Sequence, residues 1–142
     1  MRHTQVLTEA FVDLPVEKVW EVVADADAYE TWNKLFWFDD GPFVEGEKVE
    51  LEIALGPFTT EVDVTVEVFR PQEEFRWVAS LGPFRGSHFI KVAQVAENRT
   101  QILHGEDFQG LGLIWPHVRD GVRESYQSVT DALVRYLESL ED

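Results

Sequence analysis

Val62-Asp63-Val64-Thr65-Val66-Glu67-Val68 places valine at every second position with an acid or threonine between. A strand sends alternate side chains to opposite faces, so this run buries one face and wets the other, as antiparallel strands do. The same period continues on both sides of it. Upstream, Val49, Leu51, Ile53 and Leu55 alternate with Glu50 and Glu52; downstream, Phe75, Trp77 and Ala79 extend the inward face. Turn signals at Asp39-Asp40-Gly41-Pro42, Leu55-Gly56-Pro57, Arg70-Pro71-Gln72, Leu81-Gly82-Pro83 and Glu97-Asn98-Arg99 punctuate the chain from Leu35 to Gln109. They divide it into six strands of an antiparallel meander.

Residues 3 to 12 alternate well enough for a further, first strand. Asp13-Leu14-Pro15 then offers a capping acid and a proline suited to a first helical turn, followed by Val16, Val19, Trp20 and Val23 at helical spacing. A short second helix is predicted over residues 27 to 33, with Tyr29 and Trp32 on neighbouring turns. After Gly110-Leu111-Gly112 a last helix begins near Trp115-Pro116. Val118, Val122, Tyr126, Val129, Leu133, Tyr136, Leu137 and Leu140 form its apolar stripe. About 26 residues give a helix of about 39 Å, whereas seven strands at about 4.8 Å span about 34 Å sideways. A helix about 10 to 12 Å across cannot cover that width, so the twisted sheet must curl around it. The expectation is an α+β fold: a curved seven-stranded antiparallel sheet wrapped around a long C-terminal helix, with two short helices after the first strand. No linker or low-complexity tract interrupts it, and residues 1–142 are read as one domain.

With 142 residues, the chain can bury about 70% of its unfolded surface. Its longest apolar runs fall far short of the ~20 residues that span a bilayer, so no stable membrane insertion is expected. Met1-Arg2-His3-Thr4-Gln5 leads straight into a strand without an apolar export signal, which points to a cytoplasmic protein. Cysteine is absent, which removes disulfides, thiolate catalysis and cysteine-ligated metals. The formal charge of -15, from 27 acids against 12 bases, repels phosphate backbones and anionic headgroups. Nucleic acid is therefore not an expected partner.

Read at every second residue, Thr100 to Gly110 gives Thr100, Ile102, His104, Glu106, Phe108 and Gly110. One hairpin upstream, His88, Ile90 and Val92 run in step. An apolar face carrying His88, His104 and Glu106 is costly to bury unless those groups have partners or water. Two imidazoles and a carboxylate are suitable metal ligands, but His-x-Glu on a strand lacks a further spacing signal, and no metal is expected. Glu106 in apolar surroundings could act with His104, and His88 beside them, as acid and base in proton abstraction next to a carbonyl or in dehydration. No nucleophile or cofactor motif accompanies them, and no cofactor is expected. The reading adopted is hydrogen-bonded polar lining whose groups orient a ligand or merely satisfy one another.

Phe75, Trp77, Phe108 and Trp32 are large aromatics whose plainest role on an inward face is core, and Tyr126 on the long helix needs a polar partner if buried. Alternate turns of a meander fall at the same end of the sheet. Phe58, Phe84, Leu111, Leu113, Ile114 and Trp115 are therefore expected to gather there as an apolar rim, read as a portal.

The order of elements resembles the polyketide cyclase/dehydrase and lipid-transfer (START-like, SRPBCC) superfamily across the whole chain. The resemblance rests on Leu14-Pro15-Val16-Glu17-Lys18-Val19-Trp20, on Asp25 to Trp32-Asn33, on Phe75-Arg76-Trp77, and on the run ending Glu106-Asp107-Phe108-Gln109-Gly110. It implies the helix-grip fold, also that of the birch pollen allergen, and a superfamily of lipid carriers, hormone receptors, aromatase/cyclases and chaperone activators. The expectation that follows is binding, or transport, of a small hydrophobic ring-bearing or acyl ligand between helix and sheet. Trp32, Trp77, Ile90, Ile102, Phe108, Val122 and Tyr126 would supply apolar wall, and His88, His104 and Glu106 polar contacts. An aromatase/cyclase- or dehydratase-like enzyme using the same residues, and a ligand-free interaction module of the chaperone-activator kind, are the alternatives.

Overall fold

The alternation of valine and acid becomes one antiparallel sheet in the computed structural model. It describes residues 3–81, 84–110 and 116–141, the side chains at 3, 55, 81, 84 and 116–119 excepted. The strands are β1 (His3–Val12), β2 (Phe36–Phe38), β3 (Lys48–Leu55), β4 (Phe58–Arg70), β5 (Glu74–Leu81), β6 (Phe84–Ala96) and β7 (Arg99–Gln109). Their order across the sheet is β1-β7-β6-β5-β4-β3-β2. β2 to β7 thus form the expected meander, and β1 closes the far side by pairing with β7. The helices are α1 (Val16–Val23), a 3-10 turn (Ala26–Ala28) running into α2 (Tyr29–Trp32), and α3 (Pro116–Ser139). A curled sheet gripping a C-terminal helix about 36 Å long is the helix-grip arrangement.

Three local expectations are corrected. Asp13 does not cap α1; it accepts from Arg99 Nη1 at 3.0 Å, while the first helical N–H, that of Val16, is met by Gln94 Oε1 of β6 at 3.2 Å. A neighbouring strand therefore satisfies a helix end that the local sequence leaves open. In β4 a bulge between Val66 and Val68 adds one residue, so Val68 pairs with outward Arg76 and Phe69 takes its place against the core. The apolar stripe of α3 ends at Leu137. Leu140 lies beyond the helix and is 53% exposed.

Strand register sets the concave face in rows. Val66, Trp77, His88, Glu106 and Val6 lie side by side across five strands. Phe75, Ile90, His104 and Thr8 form the row on one side, and Ala79, Gly86 and Phe108 the row on the other. α3 packs over β1 and β7, where Thr130 Oγ1 lies 2.7 Å from Thr8 Oγ1 and Gln127 Nε2 reaches the Glu9 carbonyl at 3.4 Å. α1 closes the end of the sheet near Gln94, and α2 covers the edge at β2, where Tyr29 meets Phe38 edge-on at 5.0 Å. Among the described residues, no helix of this kind covers the opposite end of the concave face, beside the β3–β4 and β5–β6 turns.

The wet face of β3 and β4 carries like charges directly across the ladder: Glu50 faces Asp63 and Glu52 faces Glu61. Carboxylate oxygens of Asp39, Glu52 and Glu61 lie within 4.8 Å of one another. Repulsion from Glu61 raises Glu50 above the usual carboxylate range, and loss of hydration together with Glu52 and its neighbours raises Glu61. Such pairs work against the sheet. Glu61→Gln is therefore expected to raise the thermal midpoint at low ionic strength, and the gain should shrink toward zero near ~1 M salt, where the screening length is about 3 Å. A gain independent of salt would show that the repulsion is not what the substitution relieves.

Candidate functional site

At that end of the concave face lies a cavity of about 330 Å³. Its floor is the row Ala79, Gly86 and Phe108, two of whose three side chains have almost no bulk. Leu51 and Ile53 of β3, with Leu35 and Phe36 at the start of β2, form one wall; Val122, Ser125 and Tyr126 of α3 form the other. Trp77, His88 and Glu106 close its inner end. The space exists because α3 sits over β1 and β7, while the residues beneath the gap are too small to fill it.

The inner end is a stack of rings. His88 lies flat against Trp77 at 4.3 Å and 13°, with His104 at 4.8 Å and Tyr126 at 4.9 Å on other sides. Phe36 meets the His88 ring edge-on at 4.9 Å. Register puts His88 directly opposite Glu106, and His88 Nδ1 stands 3.1 Å from Glu106 Oε1. The Tyr126 hydroxyl donates to the same Oε1 in a very short hydrogen bond. Burial and the adjacent Glu106 hold the Tyr126 hydroxyl well above its usual range, so it stays a donor.

His88 Nε2 and His104 Nε2 are 2.6 Å apart, a contact that needs one proton and one lone pair. Burial first, and the charge of His88 second, push His104 well below the usual histidine range, so its ring is neutral and carries one N–H. Its Nδ1 lies 3.1 Å from Thr130 Oγ1 and 3.3 Å from the Tyr126 carbonyl. The hydroxyls of Thr8 and Thr130 have one proton each to share among their own 2.7 Å contact, the His104 carbonyl at 2.7 Å and the Tyr126 carbonyl at 2.9 Å. Placing the His104 proton on Nδ1 adds the donor this seam lacks, and leaves Nε2 to accept from His88. His88 Nε2 then donates to His104, while His88 Nδ1 faces Glu106. The imidazole nitrogens are thus aimed at each other and at Glu106, not at a common point where a metal could sit.

Of the ten residues expected to line a ligand site, Trp77, His88, Glu106, Phe108, Val122 and Tyr126 face the cavity. His104 lies behind His88, 1% exposed, and acts on the cavity only through it. Ile90 and Ile102 belong to the packed core, and Trp32 is buried against Tyr29 at 5.0 Å. Phe58, expected at the portal, is 74% exposed at the cavity end of β4. The side chain of Phe84 and all of Leu111, Leu113, Ile114 and Trp115 lie outside the described residues. Sequence reasoning read Leu51, Ile53 and Ala79 only as inward-facing and did not single out Leu35, Phe36, Gly86 or Ser125. Only Gly86 carried a local signal, since a glycine inside a strand marks a close approach. Here Glu106 Oε2 occupies the place a Cβ on Gly86 would take.

A sequence model of the family described as polyketide cyclase / dehydrase and lipid transport matches residues 3–138. No curated protein matches the sequence. Among solved structures, a START superfamily protein from Mycobacterium smegmatis superposes with a TM-score of 0.76 at 18% identity, covering 98% of this chain and 99% of that one. A protein from Arthrobacter aurescens gives 0.78 at 15%, covering 95% and 86%. The Zhui aromatase/cyclase from Streptomyces sp. R1128 gives 0.75 at 16%, covering 96% and 94%. At these identities the likeness is one of fold.

The neutral His104 makes stability depend on pH in a set direction. Because folding lowers its pKa, below about 6.5 the unfolded chain binds a proton at this position that the folded chain does not, so stability falls as pH descends. The urea midpoint is expected to drop more steeply between pH 7 and pH 5 in the native protein than in His104→Gln. Parallel profiles would contradict this assignment.

Proposed function

The chain belongs to the polyketide cyclase / dehydrase and lipid transport family, and from that premise we propose that it binds a small hydrophobic ligand in the cavity between α3 and the sheet. The observation that carries this reading is an open, mainly apolar cavity of about 330 Å³ with one polar corner. That volume lies at the small end of the range of ligand sites, about 300–1,000 Å³. It suits a molecule of two or three fused rings or a short acyl chain. The reading extends to residues 1–142 acting as one domain in the cytoplasm. It involves no nucleic acid, in keeping with the charge of -15, and no helix of the described residues is long and apolar enough to cross a membrane. An open cavity weighs against a ligand-free interaction module, whose interior would be filled.

One observation favours a second reading, catalysis of the aromatase/cyclase or dehydratase kind. Glu106, held on one oxygen by His88 and Tyr126, lines the cavity with its second oxygen free of any donor among the described residues, as a base would be. Glu106→Gln separates the two readings. A binder changes affinity without any turnover to lose, whereas a catalyst keeps binding while turnover falls by about 10²–10⁴.

An uncharged environment-sensitive dye should bind the native protein and be displaced by a polycyclic aromatic hydrocarbon. Ala79→Phe fills the floor of the cavity and is expected to abolish dye binding while leaving the circular dichroism spectrum unchanged. Dye binding that survives this substitution would place the ligand elsewhere.

A further inference from the structure

We propose that the ligand is an apolar molecule bearing a hydrogen-bond donor, a hydroxyl or an ammonium group, received by Glu106 Oε2, and that the cavity discriminates against carboxylates. This inference rests on the cavity-binding reading above and names the chemistry it selects. The donors of Tyr126 and His88 at the polar corner are already committed. The Tyr126 hydroxyl donates to Glu106 Oε1, His88 Nδ1 faces the same oxygen, and His88 Nε2 is engaged by His104.

What Glu106 itself adds is accepting capacity. Both known contacts of the Glu106 carboxylate fall on Oε1, and no described residue donates a hydrogen bond to Oε2. That oxygen lies over Gly86, where the missing Cβ leaves it room beside the cavity floor, and the Glu106 side chain is 13% exposed. An ionised carboxylate accepts and cannot donate, so a ligand oxygen or nitrogen seated against Oε2 must bring the hydrogen itself. Among the described residues no lysine or arginine lines the cavity. Lys34 and Arg135 flank an outer groove that shares Leu35 and Ser125 with it, and both are exposed to solvent. A carboxylate driven to the inner end would therefore meet Glu106 with no cation of the described lining to offset its charge, in apolar surroundings that make the repulsion costly. Gly86 acts here as a positioning residue, because a methyl group at that place would push the carboxylate off its seat.

A matched series of probes reads this directly: naphthalene, naphthylethanol, naphthylethylamine and naphthylacetate, titrated against the native protein by tryptophan fluorescence at constant salt. The alcohol and the amine are expected to bind at least ~10-fold more tightly than the carboxylate, a difference of about 1.4 kcal/mol. Glu106→Gln, whose amide can donate as well as accept, should collapse that difference by recovering naphthylacetate binding. Gly86→Ala should weaken the alcohol and the amine by a larger factor than naphthalene. If naphthalene binds but naphthylacetate binds as tightly as the alcohol, the donor assignment is overturned and the cavity reading stands. A preference that persists undiminished in Glu106→Gln overturns it as well. Failure of all four probes to bind overturns both.

Discussion

A buried polar seam fixes where α3 lies, and the rest of the site follows from that placement. Thr8, Thr130, His104, Tyr126 and Glu106 bond β1 and β7 to the helix through one continuous set of contacts. Apolar packing alone would let a helix slide or roll, since burial of hydrophobic surface is non-directional. Hydrogen bonds do not allow this. A shift of one turn, about 5.4 Å, would strip partners from several buried groups, each at a cost of about 1–3 kcal/mol.

Pinned over β1 and β7, a single helix leaves the β3–β5 side of a seven-stranded sheet to other residues. Near β2 the gap is filled by rings: Phe36, Phe38, Phe43, Phe75 and Trp77 stack from 4.2 to 6.4 Å apart. At the other end Ala79 and Gly86 cannot fill it, and the cavity is what remains. The outward face treats its acids differently. Glu50, Glu61 and Asp63 repel one another in water, where the cost is screened, with Glu52 half-buried beside them, whereas Glu106 on the concave face has two partners gathered on a single oxygen. The charge of the protein is thus spread over its exterior, and the interior acid is held in a defined orientation.

Much of the fold was legible in the sequence because strand and helix periods are local properties. Val62 to Val66 and Val49 to Ile53 announce their inward face without reference to anything distant, and the same alternation puts His88, His104 and Glu106 on one face. The bulge after Val66 was not legible, because nothing in Val66-Glu67-Val68-Phe69 distinguishes it from an uninterrupted strand; pairing with β5 imposes it. Nor was the capping of Val16 by Gln94, 78 residues away in sequence.

The sequence by itself determined the element order, the antiparallel meander, the inward residues and the need for partners around two histidines and a glutamate. Only the tertiary structure decided that His88 faces the cavity while His104 sits behind it, and that Ile90 and Ile102 are core while Ala79 and Gly86 are floor. The reason is that periodicity says which face a side chain is on, not what covers it. Cover depends on where α3 rests, and that is set by contacts such as Thr8 to Thr130, which join residues 122 positions apart.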